Sequence, residues 1–239
     1  YQCGVIQSPE EIDALGHRVV HGGEEFVNPT EINDEVITKL EKFSHLAPLH
    51  NPANLAGIYA ARKLFPNVPH VAIFDTAFHQ TIPPYAFFYG IPYRFYEQFR
   101  IRRYGFHGTS HRYVARRAAE TLNKSFSEFS GITCHLGNGC SITAVHKGKS
   151  VDTSMGLTPL EGLLMGTRSG DIDPGLVLFL TQEAGVSLEE MDFLLNKQSG
   201  LLGISGISND VRILWEAADK GNQRAKLALE IFAYRVKKY

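Results

Sequence analysis

Apolar and polar positions in the first half of the chain alternate between strand-like and helix-like spacing. Residues 15–20, LGHRVV, predict a short β-strand that ends at the Gly22-Gly23 break. Asn51-Pro52 predicts the start of a helix, with the Asn51 side chain as its cap and proline at the first helical position. The core-facing positions of this helix are expected to be Leu55, Ile58 and Leu64. The run HVAIFD at 70–75 predicts a buried strand that carries Asp75 at its C-terminal end.

The middle of the chain has a helix pattern followed by a predicted three-stranded meander. A helix is expected over residues 110–122, with three apolar positions in phase: Val114, Ala118 and Leu122. Residues 132–145, ITCHLGNGCSITAV, alternate on both sides of Gly-Asn-Gly. They predict a hairpin, because Asn138-Gly139 supplies the positive φ angles of a two-residue turn. A second turn at Lys147-Gly148 is expected to add the strand SVDTS.

Helix start signals are frequent in the last third of the chain. Asp173-Pro174 opens one helix, and Ser187 and Glu190 form a capping box for the next. The segment 208–221 carries the start and stop signals of a further helix. The C-terminal stretch has an amphipathic face made of Ala225, Leu229, Phe232 and Val236. Because strands and helices alternate, the predicted class is α/β, with two domains that meet near residues 76–84.

Composition limits the class of protein. Of 239 residues, 44% are hydrophobic and 21% are charged, which is typical of a soluble globular protein with a real core. The formal net charge of −1 gives no field for nucleic acid or a membrane surface. No apolar run reaches the roughly 18 residues of a bilayer span. Three cysteines without CxxC spacing favour a reduced, cytoplasmic setting.

The two ends of the sequence are unusual for a complete protein. The chain opens at Tyr1 rather than at Met, and it closes at Tyr239 inside the amphipathic helix, with no cap or glycine after it. We therefore expect a fragment of a longer polypeptide.

Five charged or imidazole side chains lie in segments rich in glycine or helix breaks: Arg18, His50, Asp75, His107 and Arg168. Each of them alone has an ordinary structural explanation, but such segments let backbone and side chains approach a small anionic ligand. Two arginines can bind planar oxyanions in a bidentate manner, and a strand-end carboxylate can hold Mg²⁺ through water. The combination favours a phosphoryl-transfer site.

Two alternatives stay open at this point. The Gly137-Asn138-Gly139 turn either offers backbone N–H groups to phosphate oxygens or is a hairpin turn without a ligand. A zinc hydrolase would use the histidine pairs His17 with His21 and His107 with His111, which both have x₃ spacing. Their glycine-rich flanks argue against the helix that such a pair needs, and the chain has no HExxH motif. A GxxxxGK[ST] phosphate loop and a Rossmann fingerprint are absent from the sequence.

Six segments in chain order resemble the acetate kinase family: GHRVVHGGE, APLHNPANLAGI, VAIFDTAFHQTIP, RRYGFHGTSH, CHLGNGCSITAV and VDTSMGLTPLEGLLMGTRSGDIDPG. The resemblance implies two related α/β domains with mixed central sheets, of the actin-like ATPase or ribonuclease H-like type, both incomplete in this chain. Residues 1–78 would belong to the first domain and 79–239 to a second domain that binds nucleotide and dimerises. The implied reaction is direct in-line phosphoryl transfer between ATP and acetate, giving ADP and acetyl phosphate, with Mg²⁺ or Mn²⁺, in a cytoplasmic homodimer.

The resemblance also assigns roles to residues of this chain. The catalytic set would be Arg18, Asp75, His107 and Arg168. The acyl substrate would be bound by Arg18, Val20, Leu49, His50, Phe106 and Pro159. The nucleotide would be bound by His135, Leu136, Gly137, Asn138, Gly139, Asp210, Val211 and Arg212. His107 and Arg168 would stabilise the transition state. Asp75 would contact Mg²⁺ through water, so no direct metal ligand is assigned within this chain.

The sequence departs from the family pattern at both ends. Residues 1–239 contain neither the family's Asn-x-Gly-Ser-Ser phosphate hairpin nor its later adenosine-binding segment and Mg²⁺ carboxylate. We therefore expect this segment alone to be inactive. Propionate kinase shares every motif and stays an alternative, although Val20 favours the smaller acyl group. A non-catalytic nucleotide-binding remnant is the alternative if the polypeptide begins at Tyr1.

Overall fold

The computed structural model describes residues 8, 11–45 and 50–239, and within them helices surround two small sheets. The strands are β1 (Leu15–Val19), β2 (Thr30–Glu31), β3 (His70–Phe74), β4 (Gly131–Leu136), β5 (Cys140–His146) and β6 (Lys149–Thr153). The helices are α1 (Asp34–Lys42), α2 (Asn51–Leu64), α3 (Pro84–Phe87), α4 (Arg94–Phe99), α5 (Gly108–Thr121), α6 (Pro174–Glu183), α7 (Leu188–Phe193), α8 (Gly200–Ser205), α9 (Val211–Asp219) and α10 (Gln223–Lys238). The predicted α/β class is confirmed.

The first sheet has the strand order β1-β3-β2 and mixes parallel with antiparallel pairing. β1 and β3 run parallel, with Val19 opposite Phe74, so their C-terminal ends meet at one edge. Asp75 follows β3 at this edge, as predicted, and its backbone N–H donates to the Val19 carbonyl oxygen at 3.0 Å. One buried apolar cluster joins α1 and α2 to this sheet: Val19, Phe26, Ile32, Val36, Ile37, Leu40, Leu55, Ile58, Ala72 and Phe74.

The start of α2 differs from the prediction. Asn51 is the first residue of the helix, and the preceding His50 makes no capping hydrogen bond with its side chain. The Asn51 side chain instead accepts from the His21 N–H and donates to the His21 carbonyl oxygen, both at 3.1 Å. It therefore ties the loop after β1 to the helix. Leu64 was expected to face the core, which is wrong, because it is 73% exposed.

The second sheet, β4-β5-β6, is antiparallel throughout. Lys147 and Gly148 join β5 to β6 with φ angles of 50° and 73°, which confirms the predicted turn. The two sheets lie on opposite sides of residue 78 in the sequence, and the domain boundary there stays a prediction.

The Gly137-Asn138-Gly139 connection between β4 and β5 is a three-residue loop. The predicted two-residue turn with positive φ angles is wrong, because none of these three described residues has a positive φ. Contacts with later segments shape the loop instead. The Asn138 carbonyl oxygen accepts from the Gly166 N–H at 3.0 Å, and its Oδ1 accepts from Asn209 Nδ2 at 2.9 Å.

Helix α5 occupies nearly the predicted span but buries a different face. Val114 and Leu122 are 44% and 60% exposed, so the predicted apolar face is wrong. The buried positions are His111, Ala115 and Ala119, one residue further along the helix than the pattern suggests. The small alanines let the helix lie close to β4 and to the segment after β3, and the His111 ring bonds to the sheet.

The later helices begin and pack as predicted. Asp173 caps α6, and Ser187 with Glu190 forms the capping box of α7. Asp210 caps α9. The expected face of α10 is confirmed, because Ala225 is buried and its apolar neighbours on that face pack against buried clusters: Leu229, Phe232 and Val236.

Candidate functional site

A cleft of about 220 Å³ brings together side chains from distant segments of the chain. It is lined by Arg18, Val20, His50, Asp75, Phe106, His107, Gly139, Pro159 and Arg168. All residues that the sequence assigned to catalysis or acyl binding lie here except Leu49, which is outside the described residues. Gly139, which was assigned to the nucleotide, also lines the cleft. The individual roles of these residues stay predictions.

Arg18 and Asp75 form an ion pair at the edge of the first sheet. Arg18 Nε donates to Asp75 Oδ1 at 2.9 Å, and Nη2 donates to Oδ2 at 2.6 Å. The Asp75 side chain is only 2% exposed, whereas that of Arg18 is 65% exposed. The hydrogen bond to the carboxylate raises the pKa of Arg18. The pair therefore presents an oriented guanidinium to the cleft, because both carboxylate oxygens are already engaged.

His107 precedes α5 in the left-handed backbone region, with φ of 58° and ψ of 21°. This conformation costs a residue other than glycine about 1–3 kcal/mol and is concentrated at functional sites. The next residue, Gly108, donates its N–H to the Asp75 carbonyl oxygen at 2.8 Å. A Cβ on Gly108 would lie 2.3 Å from that oxygen, so glycine is required there. This contact fixes His107 beside the end of β3.

Buried hydroxyl groups and other imidazoles surround the His107 ring. Its Nδ1 lies 2.8 Å from Ser141 Oγ, and the ring stacks on His135 with centroids 3.9 Å apart. Ser141 Oγ also lies 2.7 Å from His111 Nε2, and His111 Nδ1 lies 2.8 Å from Thr133 Oγ1. The sequence analysis did not single out Ser141 or Thr133. The signal that could have found them is that both are polar residues within predicted strands, at positions that become buried when β4 and β5 pair.

Arg168 is the second guanidinium of the cleft. Its Nη1 donates to the Pro159 carbonyl oxygen at 3.3 Å, and burial lowers its pKa. Within the described residues, no carboxylate lies at ion-pair distance from Arg168. A half-buried arginine without an acidic partner is suited to bind an anion.

The cleft carries more positive than negative charge. Arg18 and Arg168 supply two guanidinium groups, and Asp75 supplies one carboxylate. Burial, followed by the nearby Arg168, lowers the pKa of His50. Burial, followed by the neighbouring imidazole and guanidinium groups, lowers the pKa of His107 to about 3. These imidazoles are therefore neutral at pH 7, and the excess positive charge belongs to the arginines.

One wall of the cleft is apolar. Val20 and Phe106 are 9% and 1% exposed, and both belong to a buried cluster that includes Met155 and Leu163. Pro159 lines the cleft with them. Such a wall accepts a small apolar group and excludes water from the polar side chains opposite.

The residues assigned to the nucleotide lie beside the cleft in two linked segments. His135 contacts His107, while Leu136, Gly137 and Asn138 are exposed. The second segment starts α9 with Asp210, Val211 and Arg212. Asp210 accepts from the Arg212 N–H at 2.8 Å, and the Arg212 guanidinium lowers the pKa of Asp210 to about 2. Asn209, which the sequence analysis missed, joins the two segments through its hydrogen bond to Asn138.

The donor set of the cleft does not form a complete metal site. Within the described ranges, no group of three or more His, Cys, Asp or Glu side chains is arranged to hold a metal ion. The histidines considered for zinc make other contacts. His17 bonds to another imidazole, His21 accepts from a backbone N–H at 3.0 Å, and His107 and His111 bond to hydroxyl groups. Asp75 fits a contact through water to a cation carried by phosphate oxygens, because Arg18 occupies both of its oxygens.

Comparison with known proteins agrees with this geometry. A family model described as "Acetokinase family" matches residues 1–239. The chain belongs to the acetokinase family. It is 61% identical over 236 residues to the acetate kinase of Halothermothrix orenii and 58% identical over 238 residues to that of Desulfitobacterium hafniense strain DCB-2. The alignments cover 99% and 100% of this acetokinase chain but 59% and 60% of those relatives, so the chain spans about three-fifths of their length.

Solved structures of acetate and propionate kinases share the fold of this acetokinase chain. Porphyromonas gingivalis acetate kinase superimposes with a TM-score of 0.95 at 52% identity, over 100% of this chain and 60% of that protein. A propionate kinase from Francisella tularensis superimposes with a TM-score of 0.93 at 54% identity, over 96% of this chain and 59% of that protein. No helix in residues 11–45 and 50–239 has the length and hydropathy needed to span a bilayer.

Proposed function

We propose that the protein carrying this chain is an acetate kinase, which transfers the γ-phosphoryl group of ATP directly and reversibly to acetate. The observation that carries the proposal is the cleft, where two arginines, a buried aspartate and a neutral histidine meet beside an apolar wall. The acetate kinases at 61% and 58% identity support the choice of acyl substrate.

Acetate requires an apolar and a cationic surface in one small site. Its methyl group would lie against Val20, Phe106 and Pro159, and its carboxylate would face the guanidinium groups. A carboxylate is ionised at neutral pH and is already a nucleophile, so the transfer requires no general base. The low pKa of His107, about 3, agrees with a neutral hydrogen-bond donor rather than a base.

In the transfer step, a carboxylate oxygen of acetate forms a bond to the γ-phosphorus. The bond to the bridging oxygen breaks, and its electron pair stays on ADP. Charge then spreads over the equatorial phosphoryl oxygens. Arg168 would neutralise this charge, and His107 would donate a hydrogen bond to it. Mg²⁺, when bound to the nucleotide, would add further neutralisation, and Asp75 would meet it through water.

Propionate is the alternative acyl substrate, because a propionate kinase also shares the fold and 54% of the aligned residues. Val20 lines the cleft, and its side chain would favour acetate by occupying space that an additional methylene requires. A single methylene is worth about 1–3 kcal/mol of discrimination, so activity with both acids is expected. A homodimer and a cytoplasmic location stay predictions.

The test measures acetyl phosphate formation from ATP and acetate by the complete gene product, with the product trapped by hydroxylamine. Arg168→Ala should lower kcat by about 10²- to 10³-fold, the range for loss of one transition-state donor, without unfolding the protein. Arg117→Ala is the matched control, because Arg117 is an exposed arginine on α5 that pairs with Glu120. Absence of acetyl phosphate with the unmodified protein, or an unchanged kcat for Arg168→Ala, would contradict the proposal.

A further inference from the structure

Buried neighbours of His107 determine where its ring carries a proton. We propose that Ser141, His111 and Thr133 hold His107 in the neutral tautomer with its proton on Nε2, so that an N–H donor faces the cleft. The inference rests on the proposed function, in which His107 donates to the transferring phosphoryl group. Ser141, His111 and Thr133 act through His107 and are positioning residues.

The four side chains form one hydrogen-bonded chain beneath the cleft. Ser141 Oγ lies between His107 Nδ1 at 2.8 Å and His111 Nε2 at 2.7 Å. His111 Nδ1 lies 2.8 Å from Thr133 Oγ1. Thr133 Oγ1 is also 3.5 Å from the Thr143 carbonyl oxygen. Ser141, His111 and Thr133 are 0%, 1% and 4% exposed, so bulk solvent does not reach these partners.

Two proton arrangements connect this chain. Burial lowers the pKa of both His107 and His111 to about 3, so each ring is neutral and carries one N–H. In the first arrangement Thr133 donates to His111 Nδ1, His111 Nε2 donates to Ser141, and Ser141 donates to His107 Nδ1. In the second, every donation runs in the opposite direction. If both rings donated to Ser141, its own proton would have no acceptor among the described contacts, so one ring donates and the other accepts.

The Thr133 hydroxyl group decides between the two arrangements. In the second, its proton is left with the Thr143 carbonyl oxygen at 3.5 Å, beyond the usual O–H···O range of about 2.5–3.0 Å. In the first, the protons of Thr133, His111 and Ser141 each lie in a contact of 2.7 or 2.8 Å, and the one remaining proton is on His107 Nε2. A buried donor without a good acceptor is costly, so the first arrangement is favoured. It leaves His107 Nδ1 as an acceptor and places the ring proton on Nε2.

The Nε2 side of His107 faces the cleft. A Cβ added to Gly139, which lines the cleft, would lie 3.5 Å from both Cε1 and Nε2 of His107. A proton on Nε2 therefore offers a donor at the position where phosphoryl charge would develop. A lone pair there would repel the same charge.

The pair formed by His79 and Ser150 provides a matched control in the same protein. His79 Nε2 lies 2.9 Å from the Phe106 carbonyl oxygen, which can only accept, so this nitrogen carries the proton. His79 Nδ1 then accepts from the Ser150 hydroxyl group at 2.8 Å. Ser150 and Ser141 are both 0% exposed, and each supplies a hydroxyl group to the Nδ1 atom of a histidine. Ser150 serves His79, whereas Ser141 serves His107.

The first experiment reads the tautomer directly in the complete gene product labelled with ¹⁵N-histidine. Long-range ¹H–¹⁵N spectra distinguish protonated from unprotonated ring nitrogens, and His107→Gln assigns the signals. We expect His107 to carry its proton on Nε2 in the unmodified protein and in Ser150→Ala. Ser141→Ala should shift the proton partly or wholly to Nδ1. A proton on Nδ1 in the unmodified protein, or a tautomer unchanged by Ser141→Ala, would overturn the inference.

The second experiment separates positioning from structural effects by kinetics. Ser141→Ala should lower kcat by about 10- to 100-fold, by analogy with the loss of a partner that orients a metal-bound histidine, with little change in the KM for ATP. Ser150→Ala should keep kcat. His111→Gln, whose amide can place an N–H near Ser141, should retain more activity than His111→Leu. Equal kcat values for Ser141→Ala and Ser150→Ala would contradict the inference.

His107→Ala distinguishes failure of this inference from failure of the proposed function. If His107→Ala keeps full kcat, the proposed transition-state role is wrong, and the inference falls with it. If His107→Ala loses kcat while Ser141→Ala does not, the inference alone is wrong. If His107 has the proposed role and Ser141 positions it, adding Ser141→Ala to His107→Ala should cause no further loss of kcat. The effects of the two substitutions are then non-additive, because both act through the same ring. An additive loss would show that Ser141 acts independently of His107.

Discussion

The substitution Gly139→Ala tests whether the loop between β4 and β5 needs glycine for its backbone conformation or for its close approach to Arg168. Its φ is not in the left-handed region, so alanine fits the backbone, and such a replacement stabilises a protein by about 0.4–1 kcal/mol. The added methyl group would, however, lie 3.3 Å from Arg168 Nη1 and 3.5 Å from the His107 ring. A contact of 3.3 Å forces the neighbour to move by a few tenths of an ångström. Gly139→Ala should therefore keep or raise stability while displacing the guanidinium.

The displacement of the Arg168 guanidinium gives an estimate of the loss in kcat/KM. A misplacement of about 1 Å can cost about 10²-fold in rate, so a few tenths predicts a loss of about tenfold in kcat/KM. Tenfold corresponds to about 1.4 kcal/mol of transition-state stabilisation. Urea unfolding and steady-state kinetics of the complete gene product measure the two effects separately. Gly57→Ala is the matched control, because Gly57 lies in α2 outside the cleft and its Cβ would meet no atom within 4 Å.

Two results would refute this reasoning. If Gly139→Ala lowers the free energy of unfolding, the glycine is needed for the backbone of the loop and not for close approach to Arg168. If Gly139→Ala keeps full activity, as Gly57→Ala should, the cleft accommodates the methyl group and the distances do not limit the reaction.

Two further predictions concern the apolar wall and the buried imidazoles. Val20→Ala should raise kcat/KM for propionate relative to acetate, by up to the roughly 10- to 200-fold that one methylene provides, and an unchanged ratio would show that Val20 does not limit the acyl group. Burial lowers the pKa of His79 to about 4 and those of His107 and His111 to about 3, from the unfolded value of 6.5. Below pH 6.5 the unfolded chain therefore binds protons that the folded protein does not, so the stability present above pH 6.5 is lost as the pH falls. Urea unfolding at pH 7 and pH 5 should show a falling free energy of unfolding, by up to about 1.4 kcal/mol per pH unit for each histidine, and equal values at both pH values would contradict it.

Sequence patterns correctly predicted those parts of the fold that depend only on residues close together in the chain. Asp75 was placed at a strand end because an apolar run stops at an ionisable residue, and β3 ends there. Lys147-Gly148 and the capping box at Ser187 depend on the conformations of neighbouring residues, so sequence was sufficient for them. The charged and imidazole residues of the cleft were singled out by their glycine-rich or break-rich segments. Its apolar residues, Val20, Phe106 and Pro159, were found only through the family resemblance, because no local rule places them beside the arginines.

The failures have a common physical cause. Asn51 and Asn138 both have side chains that normally serve a cap or a turn, yet each is hydrogen-bonded to a distant segment. In α5, apolar bulk favoured a face with Val114, while the structure buries the face of His111 because its ring bonds to the sheet. Polar contacts over long sequence separations therefore override propensities worth only about 1 kcal/mol.

The position of the proton on the His107 ring is the property of the site that is hardest to predict from the sequence. Ser141 reaches this ring because β4 and β5 pair with His135 opposite Ser141 and Thr133 opposite Thr143. A register shift of one residue would turn Ser141 to the other face of the sheet, and the ring would lose its partner without any change in composition. The sequence can therefore name His107 as a functional residue, but whether its cleft-facing nitrogen donates or accepts depends on strand register and on how α5 packs against the sheet.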